Sequence, residues 1–255
     1  MADVMVSIRD VHKSFEMPEG RLKALDGISL DIAAEEFVCL LGYSGCGKST
    51  LLRLIAGLEP VEAGEIYVDG ARHEKPSKDA LLLFQDFNQL FPWRTVLKNV
   101  TYPILATKSA SKEEAKRQGE ELLDSVGLAD FKNSYPHQLS GGMKQRAAVA
   151  RALALKPKVL LMDEPFAALD AVTRAHLQNL TRQICSEHHV TVIFVTHSVE
   201  EAVLLGDRIV MINNKTHCID QIIENPSHGG SDKESRAQLV ARIYEILDNQ
   251  LEQSL

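Results

Sequence analysis

Gly42-Tyr43-Ser44-Gly45-Cys46-Gly47-Lys48-Ser49 is the stretch from which the rest of this chain is read. A short apolar run, Val38 to Leu41, precedes it, and Leu51, Leu52, Leu54, Ile55 and Leu58 follow at helical spacing. Strand, glycine-rich loop and helix, in that order, suit the pattern G-x-x-x-x-G-K-[ST]. The glycines let backbone N–H groups turn inward around phosphate oxygens, and the helix N-terminus adds its positive end. In that pattern Lys48 reaches the terminal phosphates and the Ser49 hydroxyl ligates Mg²⁺. Gly42, Tyr43, Ser44, Gly45, Cys46, Gly47, Lys48, Ser49 and Thr50 are therefore the candidate phosphate-binding residues. An ordinary glycine-rich turn is the alternative, and the flanking strand and helix disfavour it. Cys46 places a thiol inside the loop, where a bulky adduct would block a ligand.

A second stretch agrees with the first. Val159-Leu160-Leu161-Met162 is an unbroken apolar run ending in Asp163-Glu164. A buried strand delivers two carboxylates at its end. Asp163 can hold Mg²⁺ directly or through water, and Glu164, one residue on, can polarise a water. An apolar run ending in Asp-Glu is a weak signal alone and a specific one beside the loop at Gly42.

Around these stretches the pattern is mixed. Val4 to Ile8, Ile28 to Ile32 and Glu65 to Val68 read as strands, with Asp69-Gly70 as a turn after the third. Leu81 to Phe84 is a further buried-strand candidate, and Val190 to Val195 another. Unbroken apolar runs suit parallel strands covered on both faces, and the helical stretches between them imply right-handed crossovers. From about residue 88 to 155 the chain reads as helical, with Ser111 and Glu114 as a capping box and Gly127 as a stop. This stretch is expected as a subdomain inserted into an α/β domain spanning 1–230. Ser231 to Glu234 is a second capping box. It opens a helix carrying Leu239, Ile243, Ile246 and Leu247, so 231–255 is expected to pack on the same domain.

Composition limits the function. The 255 residues suit one large α/β domain with a subdomain, and 45% hydrophobic content supplies a sizeable core. A net charge of -7 argues against a protein that wraps nucleic acid. No run approaches the ~20 apolar residues of a membrane helix, and residues 1–10 do not resemble a signal peptide. A cytosolic location is expected, with any membrane role through a partner. The cysteines, Cys39, Cys46, Cys185 and Cys218, form no C-x-x-C pair, and the histidines show no metal-ligand spacing.

Leu139-Ser140-Gly141-Gly142-Met143-Lys144-Gln145-Arg146 narrows the reading. A serine and two glycines at a helix start make a further anion site. The run resembles the LSGGQ signature of the ABC ATPases, with Met143 in place of the signature's Gln. Further matches follow in order. Gln85, after Leu81 to Phe84, is similar to the Q-loop residue, which implies a Mg²⁺ ligand and a catalytic group. Ala167-Ala168-Leu169-Asp170 resembles the D-loop. His197, after Val192 to Thr196, resembles the switch histidine that contacts the γ-phosphate. Phe15 resembles the aromatic that stacks on adenine.

The resemblance covers roughly Val6 to Ile212. It implies a P-loop NTPase fold of ABC type: α/β, with a mixed sheet core, an N-terminal antiparallel β part and the inserted helical subdomain. It implies ATP hydrolysis with Mg²⁺, catalysed by Glu164, His197 and Gln85, with the metal on Ser49, Gln85 and Asp163. ATP would lie between the Lys48 loop of one subunit and Ser140, Gly141, Gly142 and Asp170 of a second copy or a homologous ATPase. The other implied partners are transmembrane permease subunits and, through them, a solute-binding protein, which places the chain peripherally on the cytoplasmic face of the cell membrane. Phe91-Pro92-Trp93 falls in the region where the family docks its permease. Phe91 to Val96, Met162 to Ala171 and Val195 to Ala202 resemble the nitrate, sulfonate, taurine and bicarbonate importers. Tyr43 and Ala167 depart from that group, where Pro or His, and Gly or Ser, are usual. A soluble ABC-type ATPase not coupled to transport is the alternative.

Overall fold

The computed structural model describes residues 3–18, 20–84, 89–167, 169–226 and 233–252, with residues 251 and 252 by backbone alone. The chain begins with β1 (Val4–Met17), β2 (Gly20–Ala33), β3 (Phe37–Leu41), α1 (Lys48–Ile55), β4 (Ala63–Val68), β5 (Ala71–Arg72) and β6 (Ala80–Leu83). Three helices follow: α2 (Val96–Ala106), α3 (Lys112–Ser125) and α4 (Gly141–Leu153). Then come β7 (Val159–Asp163), α5 (Ala171–Glu187), β8 (Thr191–Thr196), α6 (Val199–Leu205), β9 (Arg208–Ile212), β10 (Ile219–Glu224) and α7 (Lys233–Glu252).

These strands form an antiparallel sheet in the order β2-β1-β4-β5 and a mixed sheet in the order β10-β9-β3-β8-β7-β6. β3 runs parallel to β8 and β9, and β7 runs parallel to β6 and β8. All five residues of β3 are buried, as an unbroken Phe-Val-Cys-Leu-Leu run requires. Its side chains alternate between two cores. Val38 and Leu40 pack with α1 and the antiparallel sheet, while Phe37, Cys39 and Leu41 pack with the helices of the other face. Among the described residues, no helix is long and apolar enough to cross a membrane.

Several local expectations are met in detail. Asp69 and Gly70 take φ 49° and 71°, the paired positive values of a tight hairpin between β4 and β5. Ser111 caps α3 by accepting the Glu114 N–H at 3.2 Å. The capping box is only half made, because the Glu114 carboxylate turns to Arg117 at 2.6 Å and Gln118 at 2.9 Å. Ser231 lies outside the described residues. The first hairpin is much longer than Val4 to Ile8 and Ile28 to Ile32 suggest, since both strands have 14 residues. Register shifts between Ile8 and Val11, and again near Lys13, interrupt the alternation that marks a strand in sequence.

Candidate functional site

β3 leads straight into the loop. Gly47 caps α1 with φ 102°, and a Cβ there would lie 2.2 Å from the Ala24 carbonyl oxygen. Only glycine fits, because β2 passes directly over the loop. At Gly45 (φ 85°) a Cβ would meet nothing within 4 Å, so this part of the loop faces open space. The Lys48 side chain is buried. Its Nζ donates to the Gly42 carbonyl at 2.7 Å and to the Tyr43 carbonyl at 3.0 Å, so the loop curls round its own ammonium. Cys46 is fully buried, with Sγ 3.6 Å from Lys48 Nζ. A reagent reaches it only when the loop opens.

Two neighbouring strands bring up the remaining groups. Ser49 Oγ donates to Asp163 Oδ1 at 2.9 Å, joining the first turn of α1 to the end of β7. Burial pushes the Asp163 carboxyl above its ordinary range; the Ser49 hydrogen bond works against this, and Glu164 adds to it. A hydroxyl and a partly desolvated carboxylate side by side are a hard oxygen donor pair that suits Mg²⁺. Glu164 takes φ 44°, rare for a residue with a side chain, and its N–H donates to the Val195 carbonyl of β8 at 3.1 Å. Glu164 Oε2 lies 3.1 Å from His197 Nδ1, at the end of β8. His197 is exposed and Glu164 half-buried. The carboxyl ends of β3, β8 and β7, adjacent in the sheet, thus gather Lys48, Ser49, Asp163, Glu164 and His197. That end of an open α/β sheet is where ligands bind.

Other candidates lie elsewhere. Ser140 is exposed and caps α4, accepting the Met143 N–H at 3.3 Å. Gly142 backs onto α5, where a Cβ would come 2.7 Å from Thr173 Cγ2, and a Cβ on Gly141 would touch Leu169 at 3.5 Å. Asp170 caps α5 by accepting the Thr173 N–H at 3.0 Å, and that bond holds its carboxyl below the ordinary range. Phe15 pairs with Leu22 across the first hairpin and lies 5.1 Å under Lys13 Nζ. Gln85 and Ala168 lie outside the described residues.

Sequence reasoning gave no signal for two features. Gln145 of α4 is buried, and neither its amide nitrogen nor its oxygen has a hydrogen-bond partner. A buried unpaired amide costs about 1–3 kcal/mol. Gln145→Met, similar in volume and apolar, is therefore expected to raise the unfolding free energy by about that amount, measured by denaturant titration; a loss of stability would contradict it. The second feature is the surroundings of Trp93, which is 71% exposed. Phe91 lies between it, tilted at 5.5 Å, and Tyr102, edge-on at 5.0 Å. Arg151 lies over Phe91 at 5.6 Å, beside a cleft of about 410 Å³ lined by Leu81, Phe91, Tyr102 and Pro103.

A family model described as ABC transporter matches residues 25–167. The aliphatic sulfonates import ATP-binding protein SsuB of Bacillus cereus is 46% identical over 220 residues, covering 86% of each chain. The nitrate import ATP-binding protein NrtC of Synechococcus elongatus is 46% identical over 224 residues, 87% of this chain and 34% of that protein. The bicarbonate transport ATP-binding protein CmpC of the same organism is 49% identical over 213 residues, 83% and 32%. The chain thus spans about a third of the length of these last two relatives. Among solved structures, a dimeric post-hydrolysis ATP-binding cassette bound to ADP and Pi superposes with a TM-score of 0.75 at 35% identity, covering 86% of this chain and 98% of that one. The cbiO1 protein of Clostridium perfringens, part of an ABC transporter complex, superposes with a TM-score of 0.79 at 26% identity, covering 99% and 100%. With more than half its length in the family match and a full-length relative near half identity, the chain belongs to the ABC transporter family.

Proposed function

We propose that this chain is the ATP-binding and ATP-hydrolysing subunit of an ABC importer. One observation carries the reading: a buried lysine, a serine–aspartate pair and a glutamate–histidine pair converge at the ends of three adjacent strands. The reaction is ATP and water to ADP and phosphate. Gly42 to Thr50 wrap the phosphates, and Lys48 exchanges its loop carbonyls for phosphate oxygens. Mg²⁺ held by Ser49 and Asp163, with Gln85 as a further ligand, would neutralise charge on the β- and γ-phosphates. Glu164 takes a proton from the attacking water and orients it. His197 holds the Glu164 carboxylate and meets the γ-phosphate. Phe15 supplies the adenine platform from the hairpin that crosses Gly47.

Ser140, Gly141, Gly142 and Asp170 complete the site of a second copy or a homologous ATPase. The exposed cap at Ser140 supports this, since a helix start facing outward is an anion site looking for a ligand. The importer works on the cytoplasmic face of the membrane through permease subunits and a solute-binding protein. Its solute belongs with nitrate, sulfonates or bicarbonate, the solutes named for the relatives.

Steady Mg-ATP turnover, together with capture of a detergent-solubilised permease, tests the reading. Turnover without permease would favour a soluble ABC ATPase instead. Trp93→Ala is expected to leave nucleotide affinity intact and to weaken permease assembly by at least ~2 kcal/mol, as for an aromatic interface anchor. Unchanged assembly in the pull-down would remove Trp93 from the interface.

A further inference from the structure

The C-terminal helix has no part in the reading above, yet it reaches both sides of the site. Ile243 and Leu247 of α7 are buried, and Leu239, Val240 and Ile246 pack against the same core. Tyr43, inside the phosphate loop, packs on that core too, and its hydroxyl donates to the Leu247 carbonyl at 3.4 Å. The Tyr43 carbonyl accepts from Lys48 Nζ at 3.0 Å and from the Cys46 N–H at 3.3 Å. One residue therefore joins α7 to the bonds that shape the loop. Earlier on the helix, the Tyr244 hydroxyl donates to Glu200 Oε1 at 3.1 Å. Glu200 Oε2 in turn accepts from the hydroxyl of Ser198 at 3.0 Å, and Ser198 directly follows His197 and caps α6. A third tie runs from Gln250 to Asp220 of β10 at 2.8 Å.

We infer that α7 is a positioning strap for the nucleotide site. Through Tyr43 and Leu247 it holds the phosphate loop in its binding shape, and through Tyr244 it steadies the turn after His197. The inference rests on reading residues 42–50 as a nucleotide site. Its physical basis is conformational entropy: a loop already ordered has less freedom to lose on binding. The hydrogen bond to Leu247 is long, so the Tyr43 ring contributes more than its hydroxyl.

The test uses the full chain, MgADP affinity by calorimetry, MgATP turnover and thermal unfolding. Leu247→Ala, outside the loop, is expected to weaken MgADP binding about tenfold, equivalent to about 1.4 kcal/mol. Tyr43→Ala should do the same, and the double variant should lose no more than the weaker-binding single, because both loosen the packing of the loop and α7 on one core, the Leu247 carbonyl remaining in Leu247→Ala. Tyr43→Phe keeps the ring and should recover most of the lost affinity. Tyr244→Phe should lower kcat about two- to tenfold, the worth of one net hydrogen bond, with MgADP affinity unchanged. If Leu247→Ala lowers the melting temperature but binds MgADP as the wild type does, α7 only packs and the strap is overturned. Losses that multiply in the double variant also overturn it. Should Tyr43→Ala fail to fold, Leu247→Ala and Tyr244→Phe decide. A wild type that binds no MgADP refutes the nucleotide reading itself and takes the strap with it.

Discussion

Glu164→Gln is expected to bind ATP, to turn it over about 10²–10⁴-fold more slowly, as for loss of a general base, and to accumulate as an ATP-bound dimer. Gln keeps the shape of the side chain and a polar atom toward His197, 3.1 Å away in the native pair. It also inherits the φ of 44° without added cost, since it has the same Cβ as Glu. The Lys48 loop and the Ser49–Asp163 pair are untouched, so affinity should hold. ADP should not support the dimer, because Ser140 and His197 then have no γ-phosphate to share. Ser140→Arg in the same background should abolish the dimer by filling the anion site. Size-exclusion chromatography with ATP or ADP, alongside phosphate release, reads all of this. Wild-type hydrolysis by Glu164→Gln would end the base assignment.

Lys48→Ala should lose nucleotide affinity by about 10–150-fold, the equivalent of 1.5–3 kcal/mol for a hydrogen bond to a charged group. The native contacts add a second effect. Lys48 Nζ satisfies two loop carbonyls, at 2.7 and 3.0 Å, and removing it takes a donor from each, leaving the Tyr43 carbonyl with the Cys46 N–H at 3.3 Å. The ligand-free variant should therefore be less stable than the wild type. In the wild type, ATP at ~100 times its Kd should add about 2.7 kcal/mol of stability, and the variant should gain far less at the same concentration. Thermal shift with and without Mg-ATP separates the two effects. An equal shift in both proteins would sink the phosphate-loop assignment.

Much of this was legible beforehand, for definable reasons. β3 is apolar throughout, β7 is apolar up to Asp163 and β8 between Thr191 and Thr196, because both faces are covered, and such runs stand out from any polar context. Lys48, Ser49, Asp163 and Glu164 stand out in the sequence because phosphate and metal chemistry calls for those groups beside strand ends, whereas His197 stands out only through the family resemblance. What stayed hidden depends on pairing. The lengths of β1 and β2 were obscured by bulges, and β10 by exposure, since Ile223 alone of its residues is buried and Ile219 half-buried. The Glu164–His197 contact follows from β7 lying beside β8, a matter of strand order that no spacing encodes. Tyr43 read as a departure from the family pattern; its partner, Leu247, lies 204 residues away in sequence. Gln145 looked like part of a motif, and its lack of partners is visible only in three dimensions.

The strand order also governs how the chain comes off the ribosome. β3 has two neighbours in its sheet, and both are made late: Phe37 pairs with Val192, and Val38 with Arg208. At about 5–20 residues per second, a nascent β3 waits on the order of ten seconds or more for its partners. For that time a five-residue apolar strand with open edges is present beside an unfinished phosphate loop. Edges of that kind recruit other chains, so β3 is vulnerable in nascent copies and has both edges paired in the finished protein. Slowed translation through the codons for residues 156–212 should raise the fraction lost to co-translational aggregation, whereas the same slowing after residue 226 should not.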